Sequence, residues 1–438
     1  MNGLSICLYE WKHFIRSPFK VIALILFVLA GIYGLHNGAN LYHKQMAEID
    51  KIKEKVEKER KTYLAYYDEG KAGPENRPWI NMGAPFWAVW FSHIYHFKTP
   101  SPTLVYSMGQ AEQYGFYKRV TFWASPYDAD MTKEIANPER LQVGTLDFSF
   151  TLLFLLPLLL LILLYNLKSL EAEQGFLPLI EVQAASGNTW LLSRLAFYVG
   201  LVFVVLLGLL LYGALLTDLF SEAAIAIGPI LLYTSLYLIF WSFLYFLVLR
   251  TGKHIMGNTL KMVGLWLVFA FIIPATVHQW ISIEQPANLM TDLIDAKREE
   301  GRKIYDLPDS IFQEKLNTIF PEITDSPIAT DDTKRPDACD DSASALANEL
   351  MKKSIAIIEG DNDTKNKLVR NSYWFSPVTF FQNRLNQLAQ THFDDYQQYR
   401  DEIQILIDNQ IRTMVLDTWN DVKVDKKKYL EYYQTLNI

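Results

Sequence analysis

Five long apolar segments constrain the fold of this chain more than any other feature of its sequence. Each has close to or more than the roughly 20 residues that a helix needs to cross a hydrocarbon core about 30 Å thick. Their interiors hold almost no charge, whereas a helix of a soluble protein keeps one polar face. We therefore predict a mainly α-helical bundle that spans a membrane. The five predicted spans are 19–36, 148–166, 191–216, 223–249 and 259–280.

Two large polar blocks, 37–147 and 281–438, alternate with these spans. Their charge content is that of ordinary soluble domains. The first block holds a dense cluster of aromatic residues over 79–97, which suits either an interfacial belt or a small core. The second block has helix-like spacing over 289–303, 310–319, 343–359 and 380–421, with apolar stripes that need a partner surface. We therefore expect the two blocks to pack into one mostly helical body.

Two stretches of the polar blocks have patterns of their own. The segment 44–67 lacks Gly and Pro and has many charge pairs at i,i+4 spacing, so it should continue the first span outward as a helix. That helix packs within its own domain or forms a short coiled-coil contact. The stretch 325–341 is rich in Pro, Asp and Thr and is expected to be a mobile loop outside the body.

Composition and residue spacing exclude several classes of function. The formal net charge is −7, which provides no basic stripe for nucleic acid. The two cysteines, Cys7 and Cys339, fall on opposite sides of the predicted membrane, so neither a disulfide nor a cysteine-based metal site is expected. His93 and His96 would share one helix face, but the sequence supplies no third or fourth ligand. We expect no metal and no nucleic-acid partner.

Positive charge beside the span ends indicates the orientation in the membrane. Lysine and arginine flank the spans at three segments, the N-terminal segment 1–18, the connection 167–190 and the loop 250–258. They are Lys12, Arg16 and Lys20 at the first span, Lys168 and Arg194 between the second and third spans, and Arg250, Lys253 and Lys261 between the fourth and fifth. These three segments should therefore lie in the cytoplasm, with the two polar blocks outside.

The N-terminal segment has the pattern of an interfacial helix. Leu4, Leu8, Trp11 and Ile15 form one helical stripe, with charged residues off it. An amphipathic helix that leads into a spanning helix should lie in the plane of the membrane interface. Pro18 then marks the break before the first span.

The sequence contains no catalytic constellation. There is no Walker A phosphate loop, so the chain should not hydrolyse ATP itself. No nucleophile elbow and no H-E-x-x-H zinc motif occur, and no predicted span carries the buried acidic residue or lysine of an ion-coupled transporter or intramembrane protease. A membrane enzyme is therefore the least supported interpretation, and the chain itself should carry no cofactor.

The connection 167–190 holds acidic residues where the other cytoplasmic segments are basic. Glu171, Glu173 and Gln174 precede a turn at Gly175, and a short amphipathic piece follows. Either a solvated helix end or a local partner would account for them. This E-x-E-x-G pattern resembles the coupling region of ABC type-2 permeases, in which it follows the second span.

Three further stretches resemble one bacterial subfamily of these permeases, which has large extracytoplasmic inserts. They are Gly109-Gln110 with the segment to Arg119, Asn137-Pro138 with the approach to Asp147, and Ser376-Pro377 with the helix to Ala389. The family has six spans, whereas this sequence shows five apparent spans with the second polar block after the last.

The resemblance implies a multi-pass permease subunit in the bacterial inner membrane, with its large domains in the periplasm. It would pair with a second permease chain, identical or different, and with a dimer of separate ABC ATPase subunits that bind the ATP and Mg. Closure of that dimer would push on Glu171–Gly175 and on the interfacial helix. The type-2 architecture favours export.

The second and fifth spans would line the transport cavity with aromatic groups. An apolar lining suits a lipid-like, peptide or amphipathic cargo. The candidate lining residues are Phe150, Phe154, Trp266, Phe269 and Phe271. The alternative function is mechanotransmission, in which ATP hydrolysis moves the periplasmic domains against a periplasmic or outer-membrane partner and nothing crosses the bilayer.

The orientation can be tested by thiol labelling of a chain whose native cysteines are replaced by serine. A cysteine introduced within 44–61 or 340–360 should react with an impermeant reagent in cells with a permeabilised outer membrane. One introduced within 168–175 or 251–257 should not react, because the positive-inside rule places it in the cytoplasm. Labelling at 168–175 together with protection at 340–360 would contradict this orientation and indicate the opposite one.

Overall fold

The computed structural model describes residues 3–92, 94–130, 146–183, 187–222, 224–284 and 301–436. Five helices within these ranges are long and apolar enough to cross a membrane, which confirms the predicted number of spans. They are Pro18–Asp68, Phe148–Glu173, Gly187–Leu216, Ile227–Thr251 and Ile255–Glu284.

Helices form nearly all of the described secondary structure, and two short strands accompany them. In the first half the helices are α1 Gly3–Ile15, α2 Pro18–Asp68, α3 Pro85–Trp90, α4 Phe148–Phe150, α5 Leu156–Leu164, α6 Ser169–Glu173, α7 Leu177–Gln183 and α8 Gly187–Leu216. In the second half they are α9 Leu219–Glu222, α10 Ile227–Thr251, α11 Ile255–Leu267, α12 Ile273–Glu284, α13 Gly301–Tyr305, α14 Asp309–Ile319, α15 Arg335–Asp341, α16 Ala343–Asn371, α17 Pro377–Leu388, α18 Phe393–Trp419 and α19 Lys426–Leu436. Strands β1 Tyr95–Phe97 and β2 Tyr117–Arg119 pair antiparallel, with Tyr95 opposite Arg119.

The first span is one unbroken helix that extends far beyond a membrane. Helix α2 has 51 residues, which corresponds to a length of about 75 Å. It begins with Pro18 at its first position, as the sequence predicts. Its outer part buries Ile49, Ile52 and Val56 against the rest of the chain. The predicted helical extension is therefore confirmed, and it packs within its own domain.

The second span is not a regular α-helix near Pro157. It consists of α4, a π-helical turn over Thr151–Leu155, and α5. Pro157 has no N–H to donate to the carbonyl of Leu153, and the hydroxyl of Tyr237 donates to that carbonyl at 2.6 Å instead. Neighbouring helices thus satisfy the backbone groups that the proline frees, as membrane helices require.

Glycines on α2 let the backbone of other segments approach the first span closely. A Cβ atom at Gly34 would lie 2.6 Å from the backbone carbon of Asp147, and one at Gly38 would lie 2.7 Å from the carbonyl oxygen of Val105. Both distances are shorter than any real Cβ contact. The absence of side chains at these two positions therefore fixes how α2 packs on the start of the second span and on the 3₁₀ turn Pro102–Tyr106.

The two polar blocks share one hydrophobic core, which confirms that they form a single body. Ile94 and Phe122 of the first block lie in the same cluster as Ile403 and Trp419 of the second. Most of the aromatic cluster over 79–97 joins this core, with Trp87 and its neighbours packed against it. Of the two interpretations of that cluster, the small core is the one that the packing supports.

The expectation of a mobile loop over 325–341 is wrong. A 3₁₀ turn over Pro327–Thr330 and helix α15 occupy this stretch, and Ala338 and Cys339 are buried in the core of the body. Its small apolar residues face that core, whereas Asp332 and Asp340 are exposed and Asp332 pairs with Arg335 three residues later. Composition alone could not reveal this division between faces.

The rest of the second block follows its predicted helical spacing, with one difference. The stretch predicted to be helical over 380–421 is divided into α17 and α18, because Gln390 has a left-handed φ of 55° and His392 caps α18. Most of the predicted helix 289–303 lies outside the described residues.

Close packing at Gly34 can be tested by adding one methyl group. Gly34→Ala should lower the free energy of unfolding by about 1–3 kcal/mol, because the backbone of Asp147 has to move to make room. Gly208→Ala, also in a spanning helix, is the matched control, since nothing lies within 4 Å of its added Cβ. Unfolding in mixed micelles with SDS measures both. Equal stability of the two variants would contradict the close approach.

Candidate functional site

The predicted coupling residues lie together at the end of the bundle that also carries the N-terminus, here called the coupling end. Glu171 and Glu173 belong to α6, and the chain then turns through Gln174 and Gly175 into α7. Gly175 has a left-handed φ of 76°, a conformation that favours glycine. The turn predicted at this position is therefore present.

A buried ionic cluster lies behind this turn. The guanidinium of Arg194, on α8, donates from Nε to the carboxylate of Glu10 on α1 at 2.5 Å and from Nη1 to the carboxylate of Glu171. Nη1 also donates to the carbonyl of Leu167 at 2.5 Å. The side chains of Arg194 and Glu10 are 4% and 0% exposed. One arginine thus joins three segments that are distant in sequence.

Lys20 completes the cluster from the first turn of α2. It belongs to the predicted span 19–36 and is 3% exposed, so the expectation that no span carries a buried lysine is wrong. Its ammonium donates to the carbonyl of Leu163 at 2.8 Å and lies 4.7 Å from the ring centroid of Tyr198. With Lys20 the four charges balance, two carboxylates against two cations. Such balance is what allows charges to stay buried at the edge of a membrane, because an unpaired buried charge costs several kcal/mol.

Sequence reasoning missed Glu10 and used Arg194 only as a flanking charge. The signal was present on α1, where Ile6, Glu10 and Phe14 are spaced by four residues and are all buried. The opposite stripe, Leu8 and Trp11 among it, is exposed. An acidic residue inside an apolar row of a helix indicates a buried partner, which the sequence alone could not identify.

Glu173 also has a partner within the chain. Its carboxylate accepts from the N–H of Ile255 at 2.8 Å, at the N-terminus of α11, where a negative charge is favoured. Nearby, Lys168 donates to the carbonyl of Arg250 at 2.8 Å. The coupling segment is therefore held to the connection before the fifth span, and neither acidic residue is a freely solvated helix end.

Helix α7 and the residue before it expose an apolar stripe at the coupling end. Phe176, Leu179 and Val182 lie on and beside α7 and are 55%, 58% and 85% exposed. Their spacing of three residues places them on one side of a short helix.

At the opposite end of the bundle, Asp147 joins the spans to the polar body. Its carboxylate accepts from the N–H groups of Phe150 at 2.7 Å and Met108 at 3.1 Å, and from the hydroxyl of Ser149. Burial raises the pKa of this carboxyl, and these donors oppose the rise. Tyr106 anchors the same region by donating to the carbonyl of Leu210 at 2.5 Å.

The segments that carry the family resemblance converge at this junction. Met108 and Gly109 lie beside Asp147, and Asn386 of α17 accepts from the hydroxyl of Ser107 at 2.5 Å. A Cβ atom at Gly109 would lie 2.5 Å from the hydroxyl of Thr391. The pair Asn137-Pro138 lies outside the described residues.

A cavity of about 730 Å³ opens beside the junction. The second span contributes Phe150, Leu153 and Phe154 to one side of it. The other side is polar and comes from α2 and from the segment after Gly109. That side includes Lys44, Gln45, Glu48, Glu112 and Gln113.

The five candidate lining residues divide into two groups. Phe154 packs on Phe271 with ring centroids 5.4 Å apart, and Trp266 donates to the carbonyl of Phe154 at 3.1 Å. Of the five, Phe150 and Phe154 line the cavity. Phe269 instead packs against Trp241, 6.3 Å away, because residues two positions apart on a helix point in nearly opposite directions.

The predicted histidine pair does not form a site among the described residues. His96 bonds to Glu402 at 2.8 Å and stacks on Tyr399, while His93 lies outside those residues. Within the described part of the chain, no group of three or more His, Cys, Asp or Glu side chains is placed to hold a metal ion.

Comparison with known proteins adds no assignment. No protein-family model, no curated protein and no solved structure matches this chain.

The ionic cluster predicts a large effect of removing its arginine. Arg194→Ala leaves Glu10 and Glu171 buried without their cation, so the free energy of unfolding should fall by about 3–5 kcal/mol. Arg250→Ala, an exposed arginine at the same end, should change it by less than about 0.5 kcal/mol. Both are measured by unfolding in mixed micelles.

A compensated variant separates charge from packing. Arg194→Met combined with Glu171→Gln should recover most of the lost stability, because the carboxylate of Glu10 and the ammonium of Lys20 then balance. If this double variant were as unstable as Arg194→Ala, the arginine would act through its packing volume and the ionic account would be wrong.

Proposed function

We propose that this chain is the permease subunit of an ABC transporter, driven by a separate ATPase dimer that binds the coupling end. The observation that carries the proposal is the Arg194 cluster, which links α1, α6 and α8 directly behind Glu171–Gly175. A force applied to the α6–α7 turn would reach the third span and the N-terminal helix together.

The docking surface in this proposal is the apolar stripe of α7. Glu171 and Glu173 hold the turn in place through Arg194 and Ile255, while Phe176, Leu179 and Val182 are exposed. We assign the acidic residues to positioning and the apolar residues to contact with the ATPase. This refines the sequence-based expectation, in which the acidic residues themselves met the partner.

The low burial of the fifth span within the chain supports pairing with a second permease chain. In the apolar window of this span, 17% of the residues are buried, against 67% in the second span. The remaining surface faces lipid or another permease chain, and we propose that two chains, identical or different, pair in the bilayer. The basic flanks of the spans support a bacterial inner-membrane protein with its N-terminus in the cytoplasm and its polar body in the periplasm.

The length of α2 favours the second candidate function, mechanotransmission. A single helix of about 75 Å leads from the coupling end into the core of the polar body. In that function, ATP-driven motion would tilt α2 and move the body against a periplasmic or outer-membrane partner. Transport of cargo into a reconstituted vesicle would distinguish the two functions, because mechanotransmission moves nothing across the bilayer.

The test of the proposed function co-expresses this chain with a candidate ABC ATPase subunit chosen from its neighbouring genes. The purified chain alone should show no ATP hydrolysis, and the complex should show vanadate-sensitive turnover. Phe176→Asp with Leu179→Asp should abolish co-purification and stimulation, since two charges enter an apolar contact. Normal co-purification and turnover of this double variant would contradict docking at α7.

The control places the same substitution at the other end of the bundle. Ile225→Asp alters an exposed aliphatic residue beside the start of α10 and should leave ATPase stimulation unchanged. Glu171→Lys is unsuitable for this test, because it would break the buried pair with Arg194 and unfold the coupling end. An equal loss of ATPase stimulation in the Ile225→Asp variant would show that the effect is not specific to α7.

A further inference from the structure

We propose that the cavity beside Asp147 binds a lipid-like amphiphile with a zwitterionic headgroup, its acyl chain against the second span and its headgroup at the polar rim. The cavity measures about 730 Å³, within the range of small-molecule sites in proteins. The inference rests on the proposed function only where it makes this amphiphile the cargo, since binding itself needs no ATPase.

The position of the cavity suits a molecule that is half apolar and half polar. Its apolar wall belongs to the first turns of the second span, from Phe150 to Phe154. Its polar wall comes from α2 beyond the bilayer, where Lys44 and Glu48 stand one helical turn apart. A ligand that bridges these walls lies across the membrane interface, as a lipid does.

The apolar wall offers little for a polar ligand to bind. The π-helical turn and Pro157 would expose backbone carbonyls in this wall, but the carbonyl of Leu153 accepts from Tyr237 and that of Phe154 accepts from Trp266. The surfaces left to a ligand are therefore the rings and methyl groups. Phe150 is 38% exposed, so a hydrocarbon chain placed against it would remove apolar surface from water.

The polar wall offers charges of both signs. Lys44 carries a positive charge, and Glu48 carries a negative charge and lies 3.9 Å from the ammonium of Lys51 on the surface of α2. Two further cations of the lining are held more closely within the chain, since Lys118 pairs with Asp128 at 3.0 Å and Arg119 donates to the carbonyl of Trp90. A zwitterionic headgroup can place its phosphate at Lys44 and its ammonium at Glu48, whereas a purely anionic headgroup would face that carboxylate.

The carboxylate of Asp147 is not part of the proposed recognition. It also lines the cavity, but it accepts hydrogen bonds from Met108, Phe150 and Ser149. These bonds hold the junction together, so Asp147 shapes the cavity without supplying a binding group.

The test is photocrosslinking of the purified full chain in detergent, with no ATPase present. The probe is lysophosphatidylethanolamine carrying a diazirine midway along its acyl chain. Crosslinks should concentrate in peptides that contain 147–154, because the acyl chain lies against the second span. Unlabelled lysophosphatidylethanolamine should compete at least about fivefold better than lysophosphatidylglycerol, a difference of about 1 kcal/mol.

A matched pair of variants localises the binding. Gln113→Trp places a bulky ring at an exposed residue of the rim and should reduce crosslinking at least fivefold. Gln434→Trp makes the same change on α19, outside the cavity lining, and should leave it unchanged. Unaltered thermal unfolding of both variants shows that they fold.

Three results would overturn the inference. They are crosslinks spread evenly over the lipid-facing sides of the spans, equal labelling of Gln113→Trp and the original chain, and equal competition by the two lipids. If the original chain failed to stimulate an ATPase but was crosslinked as expected, only the proposed function would be contradicted. If it stimulated an ATPase but was not crosslinked at the cavity, only the amphiphile site would be contradicted.

Discussion

The buried contact of Arg194 with Glu10 and Glu171 is the interaction on which the arrangement of the coupling end depends. These residues come from α8, α1 and α6, so no local sequence preference could hold the three helices in register. A buried ion pair adds little net stability over an apolar contact, but removing one member is costly. The Arg194 contacts therefore fix positions more than they add stability. The N-terminal helix, the α6–α7 turn and the third span cannot separate without leaving a charge unpaired in an apolar environment.

A second constraint connects this end to the polar body. Helix α2 starts with Lys20 in the ionic cluster, passes the bundle through close contacts at Gly34 and Gly38, and ends among the core residues of the body. Asp147 fixes the start of the second span against the same helix. Displacement at one end is thus carried to the other by a continuous helix, which is compatible with either transport or mechanotransmission.

The sequence predicted those features that depend on local pattern. The number of spans, the outward extension of α2, the break before Pro18 and the turn at Gly175 all follow from composition, periodicity or backbone preference. The Glu10–Arg194 contact could not be predicted, because it depends on which helices become neighbours. The order in 325–341 was misjudged for the same reason, since it is decided by the surface that the segment meets after folding.

The central claim is that α1 and the α6–α7 turn move as one unit when ATP is bound. Spin labels on Cys7, which is exposed on α1, and on Val182→Cys measure their separation in the proposed complex with an ABC ATPase. Cys339 stays unlabelled, because burial raises the pKa of its thiol to about 12. The account predicts that this separation is the same with and without ATP, while the distance from either label to Leu232→Cys on α10 changes. A change between Cys7 and position 182 as large as the change to position 232 would contradict it.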